Sequence, residues 1–402
     1  MTLLSRAEFL RLTAGAFVAQ SVLPAQDPRA ERVARLIREY DAQGFHRTAT
    51  GVDSESAMWL SLTTRAAGAE VELETFPVQH VDIRSACIEA DGRRVDGVPF
   101  FDGAFTAAGG ISGQLSTDIA FITIDAAGIS SEGQSLETLR RSNAHRGIVA
   151  VTNGAHPGLS LSNAASFSSP YGVPVLQVSS DEHRWLAQLA AARREIHFVV
   201  DATRTASHSI NVVANVRGAN SALYPLVLMT PRSGWWHCAS ERGGGIACWV
   251  EAIRAVAAAK PARSLIAIAS SGHELGHFGL EAFLQTRAFV MNRTSWIHLG
   301  ANIGAAQGPG NTLQTSDDEM ETMMAEAMTR AGLRIDRRHP RGAVARGEAE
   351  NVHRGGGRYI SIIGNNKLFH NTGDRGADAV DLHVIERFAN AFATVTTLLA
   401  SA

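Results

Sequence analysis

Apolar positions along this chain alternate between helical and strand periods. From Glu31 to Gln43, residues Val33, Leu36, Ile37 and Tyr40 recur at the spacing of one helix face. Gly51-Val52-Asp53-Ser54 supplies capping residues before a second helix, Glu55 to Ala67, and Glu70 to Phe76 then alternates as a half-buried strand does. The same alternation resumes later. Ile210 to Val216, Leu226 to Thr230, Ser264 to Ala269, Trp296 to Leu299 and Tyr359 to Ile363 read as strands. Gly243 to Ala258, Gly279 to Thr286, Asp317 to Ala331 and Val380 to Leu399 read as helices. Strands separated by helices of this length predict an α/β fold, with a mostly parallel twisted sheet covered by helices on both faces.

Between about His80 and Thr203 the pattern changes. Short β-rich pieces (Ile119–Ile124, Gly147–Thr152, Val173–Val178) are separated by Gly- and Ser-rich turns, and sustained helix returns only at Asp181. The expected division is an α/β domain of residues 27–80 and 204–402, with residues 81–203 inserted as a β-rich unit.

With 402 residues and 45% hydrophobic content, the chain has enough apolar surface for such a two-part core. Its net charge of −2, and the lack of basic runs interleaved with aromatics, argue against nucleic acid or an anionic membrane as partner. Residues 1–26 read as an export signal: Arg6 and Arg11 precede an apolar stretch from Leu12 to Leu23, and Pro24-Ala25-Gln26 offers a small-residue cleavage zone. The expectation is a periplasmic or secreted protein, through a twin-arginine-like or general secretory signal. The three cysteines, Cys87, Cys238 and Cys248, form no C-x-x-C pair, and a Cys238–Cys248 bridge is the one disulfide an oxidising compartment could favour.

The densest chemistry follows the apolar run Leu265–Ala269. Ser270-Ser271-Gly272-His273-Glu274-Leu275-Gly276-His277-Phe278-Gly279-Leu280 lies at that strand's carboxyl end, where open α/β sheets place their sites. This stretch resembles the Glu-Glu turn of the zinc aminopeptidase family, whose relatives include glutamate carboxypeptidase II, glutaminyl cyclase and transferrin receptor. Gly147–Gly154 and Val173–Ser180, leading into a helix, resemble a protease-associated domain, a common insertion in that family that roofs the active site. The family resemblance implies a two-zinc site in a fixed order: His-x-Asp, a bridging Asp opening a helix, Glu-Glu, an Asp, and a late His.

Carried over residue by residue, the resemblance implies a degenerate metal site. Pro231-Arg232-Ser233 stands at the His-x-Asp place, Glu241 at the bridging carboxylate, His273-Glu274 at the Glu-Glu pair, Gly300 or Asn302 at the Asp, and His370 at the final His. Three readings follow. One zinc could remain on Glu241, Glu274 and His370, with His237 or His277 assisting. The metal could be gone, with Arg232 and Arg242 neutralising the stranded carboxylates. Or the residues could be surface decoration. The metal-free reading is preferred, because replacing both His and Asp of one motif removes one zinc site outright.

On that reading, His273 is a general base oriented by Glu274, and Ser233 or Cys238 is a candidate nucleophile. Arg232 and Arg242 supply positive charge. Trp235, Trp236 and His237 are candidate walls of a substrate pocket, and Gly243 and Gly244 present helix-start N–H groups to an anion. The expected function is hydrolase-like chemistry on a small amide, ester or peptide, the other class being a non-catalytic binding protein. His298 reads as a satisfied core residue. The arginine-rich stretch Arg334–Arg358 reads as a solvated loop or flap that would favour an acidic substrate.

Overall fold

The computed structural model describes residues 28–130, 133–287 and 291–402. The expected export signal lies outside the described residues.

Strands are numbered along the chain: β1 (Glu70–Ala90), β2 (Arg93–Asp96), β3 (Val98–Pro99), β4 (Ile111–Gln114), β5 (Ile119–Ile124), β6 (Gly147–Thr152) and β7 (Val175–Ser179). They continue with β8 (Glu195–Val216), β9 (Leu226–Pro231), β10 (Leu265–Ser270), β11 (Ser295–Leu299), β12 (Asn311–Thr315), β13 (Arg337–Arg338) and β14 (Arg358–Gly364). Among the described residues, the larger sheet runs β13-β12-β14-β11-β9-β10-β8-β1-β2, with β4 beside β8. Its centre, β14-β11-β9-β10, is parallel, as the strand–helix alternation predicts. Its flanks are antiparallel where β8 meets β10 and β1, and where β12 meets β14.

Alternate residues of the central strands face opposite layers. Leu226 and Leu228 join the core beneath the helices Arg29–Ala42, Gly244–Ala259 and Leu382–Ser401. Val227 and Met229 point the other way, towards the helices Phe278–Gln285 and Ala349–Arg354. Both faces are therefore covered, which is why these strands read as continuous apolar runs.

Two expected strands are far longer than their local pattern. Glu70–Phe76 extends to Ala90 and Ile210–Val216 begins at Glu195, because the two pair along almost their whole length. Val81 faces Arg204 across this ribbon. Its far half carries Ala86, Ile88, Phe198 and Val200 into a second core, against a four-stranded sheet of order β3-β7-β6-β5.

Candidate active site

Each parallel strand delivers one loop to the same end of the sheet: residues 232–243 after β9, 271–277 after β10, 300–304 after β11 and 365–374 after β14. These loops form one chain of contacts. His370 Nε2 lies 3.5 Å from Glu241 Oε1, and Arg242 Nη2 lies 2.7 Å from the same oxygen. Arg242 Nε donates to the Ser233 carbonyl at 2.7 Å, and Ser233 Oγ donates to Glu274 Oε2 at 2.6 Å. The residues separated most widely in sequence are thus brought together through Arg242.

Local backbone explains the placement. Cys238 adopts a left-handed φ of 54°, and Gly243 N–H donates back to the Cys238 carbonyl at 3.3 Å, so Ala239–Gly243 forms one π-type turn. That turn points Glu241 and Arg242 inward before the regular helix starts. Asp374 caps it, accepting from Ser240 N, Ser240 Oγ and Glu241 N at 2.9, 2.6 and 2.9 Å. Burial, with Glu241 nearby, pushes the Asp374 carboxyl up to about 7.

Several expected roles change. Arg232 does not neutralise Glu241 or Glu274. It is buried in an ion pair with Asp53 at 2.9 Å and also donates to the Asp53 carbonyl. Glu274 is satisfied instead by Thr48 N, Thr48 Oγ1 and Ser233 Oγ, at 2.8, 2.6 and 2.6 Å, and burial raises its carboxyl. The carboxylate beside His273 Nδ1 is therefore not Glu274 but Glu348, at 3.4 Å. Ser233 is a buried clip, its hydroxyl also accepting from Gly272 N and His273 N. The Cys238 thiol is buried and pushed well up by burial and by Glu241, a state opposite to that of a reactive thiolate. All three cysteines are free, so the Cys238–Cys248 bridge is absent.

The expected pocket walls also differ. Trp235 is fully buried and donates to Asn163 Oδ1 at 3.0 Å, while Trp236 donates to the His370 carbonyl at 2.8 Å. His237 is half-buried against Phe45, with Nδ1 at 2.8 Å from the Asp41 carbonyl. Gly244 offers no anion cradle, since a Cβ there would lie 1.9 Å from the Ile303 carbonyl oxygen. Gly243 N–H is spent on the π-type turn, and the donors at the start of that turn, Ser240 N and Glu241 N, are taken by Asp374.

The open space lies beside these groups. A cavity of about 560 Å³ is lined by His273, His277, His298, Asn302 and the loop 365–366, and an adjoining space of about 360 Å³ shares His273, His277 and Asn163. Another cavity of about 530 Å³ lies at Glu72, Glu74 and Arg287, away from the strand ends, and its Glu74–Arg287 ion pair occupies the chemistry it offers. His273 stacks on His277 with ring centroids 4.8 Å apart. Burial, then the charges of Arg242, His277 and His370, lower its pKa well below the usual imidazole value, so the ring is neutral near pH 7. His298 is not the satisfied core residue expected: Nδ1 contacts Ser361 Oγ at 2.9 Å, but Nε2 has no partner among the described residues.

Glu348, Thr48, Asp374 and Arg47 carry parts of the site that sequence reasoning did not assign. Arg47 lies over Phe101, Trp235 and Trp236 at 5.5, 5.8 and 5.7 Å from their ring centroids. Residues of the 81–203 segment also reach the site: Leu161 O faces His370 Nδ1 at 2.7 Å, and Ala164 N donates to the Glu274 carbonyl at 2.8 Å.

These residues fit zinc poorly. An ion shared by Glu241 and His370 would stand against the Arg242 guanidinium, and like charges at such separations repel strongly in a dry interior. Both Glu274 oxygens already accept hydrogen bonds. Among the described residues no three His, Cys, Asp or Glu side chains converge as a metal-binding group.

Buried histidines set the response to acid. Burial lowers His46 and His298 to about 3. An unfolded histidine takes its proton near 6.5, so between those values the unfolded chain binds more protons and stability falls as pH falls. Each should cost on the order of 3 kcal/mol by pH 4. Asp374 has the opposite sign, losing stability as pH rises from 3.8 through about 7. Urea midpoints from pH 8 to pH 4 should therefore drop steeply below about 6.5, and His298→Gln should flatten the slope. An unchanged slope would contradict a neutral buried His298.

The architecture is that of the zinc exopeptidases: a large mixed sheet between helices, with its loops gathered at the carboxyl ends of parallel strands. No protein-family model and no curated protein matches the sequence. Solved structures do match. The zinc aminopeptidase from Bacillus subtilis is similar at TM-score 0.74 and 15% identity, over 92% of this chain and 94% of that one. The peptidase M28 precursor from Shewanella amazonensis is similar at TM-score 0.72 and 16% identity, over 93% and 96%. The aminopeptidase from Aneurinibacillus sp. strain AM-1 is similar at TM-score 0.69 and 15% identity, over 92% and 94%. Identities this low establish a shared fold. Among the described residues no helix is long and apolar enough to cross a membrane.

Proposed function

We propose that this chain is an exported hydrolase of the zinc-aminopeptidase fold that works without the zinc pair, on a small amide, ester or peptide substrate. The observation that carries the reading is Arg242. Its guanidinium sits 2.7 Å from Glu241, at the carboxylate that stands where the family has its bridging ligand, so side-chain charge replaces the cation. Next to it, His273 is neutral, borders the cavity and has Glu348 at Nδ1. In this reading Nε2 of His273 takes a proton from water as the oxygen attacks the carbonyl carbon. The same proton then goes to the departing nitrogen or oxygen, leaving an acid and an amine or alcohol. Glu348 positions the ring. Residues 81–203 are proposed as a protease-associated-like roof, a role supported by the contacts of Leu161 and Ala164 with the cleft.

Purified protein assayed on aminoacyl amides, esters and dipeptides should show turnover that survives chelator treatment. His273→Ala should lower kcat by about 10²-fold or more with the fold intact, and Glu348→Gln should lower it less while shifting the pH profile. Stoichiometric zinc on elemental analysis, with activity lost on chelation, would instead favour a single metal on Glu241, Glu274 and His370. An absence of turnover on every substrate would favour a binding protein.

A further inference from the structure

The stretch Arg334–Arg358 contains seven arginines, and their partners separate them into two sets. Arg334 pairs with Asp336, Arg338 with Glu321, Arg341 with Asp318 and Glu321, Arg354 with Glu350, and Arg358 with Asp317 and Glu319. Arg337 and Arg346 have no ion pair and no side-chain hydrogen bond among the described residues. These same two line the cavity that His273 borders. The one carboxylate on its wall, Glu350, is committed to Arg354 at 2.6 Å. His298, also on the wall, has burial lowering its pKa to about 3 and so adds no charge at neutral pH. The cavity wall therefore carries two arginines without an ion-pair partner. Among the described residues Glu348, buried behind His273, is the one carboxylate close to the wall that no arginine pairs.

Arg346 is held in place through its backbone. Gln314 Oε1 accepts from Arg346 N at 2.8 Å, and Gln314 Nε2 donates to Ser361 Oγ at 3.0 Å, which in turn meets His298 Nδ1. The loop is thus keyed to the cavity floor, while the guanidinium is left free. Next to it Gly347, at a φ of 63°, lets the chain pass the His298 ring, where a Cβ would lie 3.1 Å from Cε1. An exposed arginine on an untethered loop would give no such constraint.

We infer that this cavity selects a substrate bearing a carboxylate, an acidic amino-acid residue next to the bond presented to His273, with Arg337 and Arg346 as its recognition pair. Guanidinium groups match carboxylates in shape and charge, and Arg is suited to such sites because it is weakly hydrated and always charged. As a statement about a substrate this rests on the hydrolase reading, but it is tested by binding alone.

Titration calorimetry with N-acetyl-glutamate, its neutral isostere N-acetyl-glutamine and inorganic phosphate decides the matter. The native chain should favour N-acetyl-glutamate over N-acetyl-glutamine by about tenfold or more, with the preference shrinking as salt rises. Arg337→Gln/Arg346→Gln should abolish the preference and leave N-acetyl-glutamine binding unchanged. Both side chains are exposed and unpartnered, so the melting temperature should not move; if it does, the salt dependence of the native chain still tests the assignment. Equal affinity for the two acetylated ligands, no binding of N-acetyl-glutamate, or phosphate binding as tightly as N-acetyl-glutamate would each overturn it. Acid-selective binding without hydrolysis would retain this inference and remove the catalytic one.

Discussion

Arg242→Met is expected to destabilise the protein by about 3–5 kcal/mol, the usual cost of stranding one partner of a buried ion pair. Glu241 and Arg242 are each only 1% exposed, so water cannot replace the lost charge. His370 would remain 3.5 Å from the stranded carboxylate, and it would become the nearest group able to take a positive charge. Two signatures separate this from simple loss of packing. Glu241→Gln/Arg242→Met should recover most of the stability, because two apolar or neutral groups of similar volume restore charge balance. The imidazole titrations of His273 and His370 should also move upward, since Arg242 is among the charges holding both down. Denaturant melts of the parent and the two variants, with histidine resonances followed by NMR, test both. If Arg242→Met is as stable as the parent, Arg242 does not stand in for a cation.

Gly364→Ala should cost about 3 kcal/mol or more, at the upper end of overpacking, for a different reason. At the end of β14, an added Cβ would lie 1.8 Å from the Asn302 carbonyl oxygen and 2.4 Å from its carbon. The obstacle is backbone, so no rotamer change relieves it. Asn302 itself has a left-handed φ of 67° and donates its N–H to the Glu241 carbonyl at 3.0 Å. Displacing it would disturb the 300–304 loop, the cavity wall and the π-type turn together. The variant should melt well below the parent and lose ligand binding even where it remains folded. A parent-like melting temperature would show that the close approach of these loops is not required.

The longer helices and the central strands were legible because both faces of the sheet are covered, which makes Leu226–Thr230 and Leu265–Ala269 unambiguous apolar runs. The short helices Leu136–Ser142 and Ala349–Arg354 were not, the second lying in the stretch expected to be a solvated loop. Sequence reading missed β12, since Asn311–Thr315 is short and mostly polar, and it shortened β1 and β8, whose outer halves are defined by each other. At the site, Glu241, Glu274 and His370 were implied by the resemblance to the zinc aminopeptidase motifs, and Arg242 was singled out because it follows Glu241 at a helix start. Pairing was not legible. Which arginine meets which carboxylate depends on side-chain direction, and Asp53, the actual partner of Arg232, lies in a helix that gave no chemical signal. Glu348 was hidden among arginines in a stretch that reads as solvated, although it is fully buried.

The long ribbon of β1 and β8 constrains the order in which the molecule is assembled. Glu89 pairs with His197 and Glu70 with Asn215, so every rung joins residues separated by the entire intervening lobe. Closing such a loop costs entropy before any rung repays it, and the cost is least once the intervening chain has become compact. Ala86, Ile88, Phe198 and Val200 belong to the lobe's own core, so the inner rungs are expected to form with that core and the outer rungs, towards Glu70 and Asn215, to zip up behind them.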